Sequence, residues 1–136
     1  MPEAKYHVEV FDRSQSPEWE VRRDAAKALG QLLPAVKALG RLSELLDDDD
    51  VAVEQEAAEA LIRYGGRDGL LAVLEALGRR AEDPDADYLA HRLRELEIFD
   101  GIPVRQRARE IGQKYTAGLV ADGIRQLEEL MDTTDH

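Results

Sequence analysis

The sequence contains no cysteine. Disulfides and thiolate metal sites are therefore excluded, and the 136 residues must bury a core without covalent staples, which a chain of this length can do. Aromatics make up only 5%. The apolar content is mostly Leu, Ala and Val, the vocabulary of helices. No apolar run approaches the roughly 18 residues of a membrane-crossing helix. The N-terminal stretch MPEAKYHVEVFDRSQSP lacks the apolar core and small-residue cleavage site of a signal peptide. A cytoplasmic location is the expectation.

Catalytic groups are scarce too. Ser14, Ser16 and Ser43 lie in no nucleophile elbow, and His7, His91 and His136 are far apart in sequence. The glycines sit singly or in pairs at expected helix ends, with no phosphate-cradling loop. An enzyme is not expected, nor any cofactor or metal. Asp83-Pro84-Asp85-Ala86-Asp87 fails the calcium-loop template: Tyr88 would stand where glycine is needed and Arg94 where glutamate is needed. Asp87 and His91, four apart, read as a surface pair. Positive charge is in short supply, with 18 basic against 29 acidic residues and a net charge of -11. Such a chain is repelled by nucleic-acid phosphates and by anionic membranes. The expected partner is another protein; an acidic surface would favour a basic one, although the favoured reading of the acidity is that it keeps the chain in solution. Arg105, Arg107, Arg109 and Lys114 form no single patch, because helical spacing spreads the three arginines around the axis.

What the chain does have is an internal repeat. Ala57-Ala58-Glu59-Ala60-Leu61 follows Ala25-Ala26-Lys27-Ala28-Leu29 by 32 positions, Val53 follows Val21, and Leu71 and Leu74 follow Leu39 and Leu42. Both helices of a two-helix unit therefore recur. Ser16-Pro17-Glu18 reads as the first helix start, with Ser16 capping and proline at the first helical position. That helix is expected to run to Gly30, and a second from Pro34 to near Leu46, lined by Val36, Leu39, Leu42, Leu45 and Leu46. The acidic turn Asp47–Asp50 should cap and solvate a third helix ending at Tyr64 before Gly65-Gly66. A fourth spans about Asp68 to Arg80. Further helices are expected from Asp83-Pro84 onward, over about Pro103 to Tyr115 and over about Ala117 to Met131. The tail Asp132–His136 should fray.

These boundaries divide the chain into an N-terminal arm (1–15), unit 1 (16–46), unit 2 (47–80), a degenerate unit 3 (81–100), a C-terminal helix pair (101–131) and the tail (132–136). Residues 4–13 alternate weakly like a strand. A lone strand has nothing to pair with unless a dimer shares it, so an extended arm or a short helix is favoured.

The stretches EVRRDAAKALGQL and VAVEQEAAEALIRYG, each followed by a leucine-rich second helix, resemble the HEAT-like repeats of bacterial proteins, including those of phycobilisome lyases. The resemblance covers residues 16–80 well and 81–131 weakly. It implies an all-α fold, a short right-handed α-solenoid of about three to four antiparallel helix pairs. First helices would lie outside and second helices inside, facing a ligand. Some HEAT-like enzymes bind metal through His-Glu pairs. This chain has no such dipeptide, so that activity is not carried over.

The reading that follows is a non-catalytic protein–protein interaction scaffold using one face of the solenoid. An alternative is an acidic inhibitor, antitoxin or immunity protein that blocks a basic enzyme, and a lyase component is the remote third. Candidate contact residues are Lys37, Arg41, Glu44, Glu75 and Arg79 on the second helices. Trp19 joins them as the only tryptophan, with Arg23 spaced to stack on it. The alternative for Trp19 is cover by the N-terminal arm, which is favoured.

Overall fold

A computed structural model describes residues 2–133 of the chain. Among the described residues there are eight helices and no strand. They are α1 (Pro2–Arg13), α2 (Trp19–Gly30), α3 (Val36–Leu45), α4 (Val51–Tyr64), α5 (Gly66–Arg79), α6 (Ala86–Asp100), α7 (Val104–Gly112) and α8 (Leu119–Thr133). Of the expected frayed tail, Asp132 and Thr133 continue α8, and residues 134–136 lie outside the described part.

The N-terminal segment is the short helix, not the extended arm or strand. A helix satisfies its backbone hydrogen bonds internally, whereas a lone strand cannot. Helix α1 buries Val10 and half-buries Phe11, and it packs on α2. Ser14 closes it, its hydroxyl donating to the Phe11 carbonyl at 2.6 Å.

Two helix starts differ from expectation. Ser16 does not cap α2, because Glu18 holds the extended cap position and the helix begins at Trp19. Ser16 instead organises the preceding turn. Its hydroxyl accepts from the Glu18 amide (3.1 Å) and its carbonyl from Arg22 (2.9 Å). Helix α3 begins at Val36, two residues after Pro34, because a turn from Leu32 to Ala35 closes first and leaves Ala35 extended. Val36 consequently points to solvent rather than lining the core.

The acidic turn does cap α4. Asp50 accepts from the amides of Ala52 (2.9 Å) and Val53 (3.2 Å), and Asp48 accepts from the Asp50 amide at 2.9 Å. Helix α4 ends in Gly65, and α5 starts at once at Gly66, earlier than the expected Asp68. The two helices fold back so tightly that a Cβ at Gly65 would lie 2.5 Å from the Leu61 carbonyl oxygen, and one at Gly69 would strike the same atom.

The helices stack in two rows. Helix α1 lies on α2, α2 on α4, and α4 on α6; the second row runs α3, α5, α8. Between α2 and α4 the spacing is set by small residues, and a Cβ at Gly30 would sit 2.9 Å from that of Ala60. Of the alanines that define the repeat, Ala25, Ala26, Ala57, Ala58 and Ala60 are buried and Ala28 is half-buried. The tightest approach is between α5 and α8. A Cβ on Gly78 would collide with the Leu119 carbonyl, and one on Gly123 with the Leu74 carbonyl. Helix α8 thus runs beside α5 and also rests on α6, with α7 against it. The chain reaches that position through Gly101, whose left-handed φ of 70° ends α6, and the intervening α7.

Candidate protein-contact surface

The second-helix row carries the charged residues singled out from sequence, and the structure sorts them into free and committed groups. Arg41 is committed. Its Nε donates to the Ser14 hydroxyl (2.9 Å), one terminal nitrogen donates to the Ser14 carbonyl (2.7 Å), and the other reaches Glu44 (3.1 Å). It ties α1 to α3. Arg79 is held by Asp47 (2.8 Å) and by Glu75 (3.4 Å). Glu44 and Glu75 are exposed on the adjacent helices α3 and α5, each drawn only to an arginine that another group already holds. Lys37 is exposed beside the gap between α1 and α3.

Trp19 is the first residue of α2. It is 40% exposed, with the Arg23 guanidinium 5.1 Å from its ring centroid. It stands on the first-helix row, apart from the α3–α5 set. His91 turns toward Glu95 (3.7 Å) rather than pairing with Asp87.

The four acids of the turn each have a task. Asp47 meets Arg79, Asp48 and Asp49 meet Arg22, and Asp50 caps α4. The Arg22–Asp48 pair is bidentate, at 2.9 and 3.0 Å. Burial opposes ionisation of Asp48, but the bonds from Arg22 and the Asp50 amide prevail and hold its carboxyl below the usual range. Asp83 plays a similar local part, accepting from the Asp85 amide at 2.9 Å and from Arg80 at 3.2 Å.

Sequence reasoning missed one buried charge. Glu54 is 3% exposed and paired with Arg80, which also donates to the Leu46 carbonyl at 3.3 Å. Burial pushes the Glu54 carboxyl up to about 7; Arg80 pulls against this, and the nearby charges of Asp83 and Asp85 add to the push. The available signal was the repeat itself, since Glu54 falls 32 positions after Arg22 and Arg80 32 after Asp48. On the first-helix row, Arg92 of α6 reaches Glu59 of α4 at 2.8 Å, and Arg63 bridges Glu59 and Asp100. These charges join one repeat to the next.

Two rows of stacked helices, cross-linked from one repeat to the next by ion pairs, define a helical-repeat protein. Residues 9–97 match the family model for HEAT repeats, and the chain belongs to that family. HEAT repeats generally mediate protein–protein interaction. Searches of curated proteins and of solved structures gave no match. Among the described residues, no helix is long and apolar enough to cross a membrane.

Proposed function

We propose that the chain is a non-catalytic interaction scaffold, acting in the cytoplasm, that presents the α3–α5 face to a partner protein of basic surface. The observation that carries this reading is the exposure of Glu44 and Glu75 on neighbouring helices. The arginines beside them are engaged within the chain. Carboxylates so placed, on a molecule of net charge -11, favour cationic side chains across the interface and speed their encounter. The same charge supports a second reading, an inhibitor or immunity protein that blocks a basic enzyme.

The test is a charge reversal on this face. A partner captured from the source cell should lose affinity for the Glu44→Lys, Glu75→Lys double variant, and its binding to the native chain should weaken with added salt. Arg41 and Arg79 are left intact because they hold the fold. Undiminished binding by a double variant that melts like the native chain would overturn the assignment of this face. Trp19→Ala separates a contribution of the first-helix row from that of α3 and α5.

A further inference from the structure

Between α1 and α3 the surface opens into a groove of about 560 Å3. Val8 and Phe11 of α1 line one wall. Leu32, Ala35 and Val36 line the other, and Ala38 is buried at the base. The apolar walls are open to water: Val36 is 82% exposed and Val8 60%. Valines left this bare gain little from folding, and a shared apolar patch of this kind is what association covers.

The groove follows from the order of the helices. In the second-helix row α3 is flanked by α5 on one side. On its other side stands α1, which packs on α2 and is tied to α3 through the Arg41–Ser14 bonds, leaving the groove between them.

The charge around the groove is unlike that of the rest of the molecule. Within a chain of net charge -11, the two charged residues that line it cancel. Asp12 of α1 and Lys37 of α3 both border the groove. They are opposite in sign, and neither has an ion-pair partner among the described residues. Over most of the surface, two copies of so acidic a chain repel each other. Here they do not.

A helical ridge beside an apolar groove, with balanced charge and one rim charge of each sign, is complementary to itself. A two-fold axis at this face turns the α1 ridge of each copy into the groove of the other. Val8 of one copy then covers Val36 of its partner, and the rim charges meet opposite signs. We propose that the chain pairs with a second copy of itself through the α1–α3 groove, the α1 of each copy filling the groove of the other.

Sedimentation equilibrium of the full chain over a wide concentration range tests this. A dimer is expected, with a dissociation constant that rises about tenfold or more in Val36→Asp and in Val8→Asp, a loss of about 1.4 kcal/mol or more of pairing energy. Val36 is the exposed first residue of α3, where an aspartate suits the helix dipole. That variant should therefore keep its melting temperature at low concentration. A chain that stays monomeric throughout the range overturns the proposal. So does a dimer whose dissociation constant is unchanged in a folded Val36→Asp.

Discussion

Glu54 pairs with Arg80 in the second repeat at the place where, in the first repeat, Arg22 pairs with Asp48. Each member follows its counterpart by 32 positions, and both signs are reversed. The repeat preserves a link from the first turn of one helix to the residues just past the next, and it is indifferent to which end carries the cation. Coulomb attraction is symmetric in the two signs, so either polarity closes the unit.

That symmetry can be tested in the first repeat. Arg22→Glu alone should destabilise the chain by about 3 kcal/mol, because it leaves Asp48 facing a like charge in a largely buried place. Arg22→Glu with Asp48→Arg should recover part of that loss. Recovery stays incomplete because Asp48 also accepts the Asp50 amide and Arg22 also serves the Ser16 carbonyl. Denaturant melts arranged as a double-mutant cycle should give a coupling of about 1–3 kcal/mol. Additive losses would show that the pair does not act as a unit.

Glu54 makes stability depend on pH in an uncommon direction. Its folded-state value of about 7 lies above its ordinary 4.5. Between these values the folded chain holds a proton that the unfolded chain has released. Unfolding therefore releases a proton, and raising the pH through this window removes stability, on the order of 3 kcal/mol in all. Asp48 acts in the opposite sense and lower down. Its stabilisation is present above its ordinary value of 3.8 and is lost as the pH falls below it. In Glu54→Gln the decline between pH 4.5 and 7 should vanish relative to the native chain. Equal slopes in the two proteins across that window would contradict the burial of this charge.

The glycines of the helices should divide sharply. Gly123→Ala forces a Cβ onto the Leu74 carbonyl and should cost about 3 kcal/mol by prising α8 from α5. Gly40 lies inside α3 with nothing near its added Cβ. Gly40→Ala should stabilise by about 0.5–1 kcal/mol through helix propensity. Thermal melts that ranked the two alike would refute the close α5–α8 approach.

Arg41→Ala should loosen α1 alone. It removes both bonds to Ser14 but no contact within the α2–α4 stack. Amide exchange should accelerate over residues 5–14 and stay unchanged in α4 and α5. Faster exchange throughout the chain would assign Arg41 a global role.

The repeat, its helices and the capping role of Asp50 are legible in the sequence, because each depends on short-range periodicity or on a neighbour two or three residues away. The contact surface is less so. Lys37, Arg41, Glu44, Glu75 and Arg79 share a row as helical spacing requires. Which of them are free depends on Ser14 and Asp47, whose distance in sequence hides the contact. Ser16 reads as a cap from its local pattern, but the carbonyl bond from Arg22, itself held by Asp48, draws it into the turn instead.

The sequence by itself determined an all-helical repeat with an acidic surface and no cysteine, since composition and a 32-residue period are properties of the chain alone. Only the tertiary structure decided that residues 5–13 form a helix, that Glu54 is a buried charge, and that α8 lies in contact with α5. Each of these turns on what packs beside a segment. An alternating stretch settles as a helix when α2 is there to cover one face, a glutamate is buried when Arg80 meets it, and Gly78 and Gly123 show their purpose only when their two helices touch.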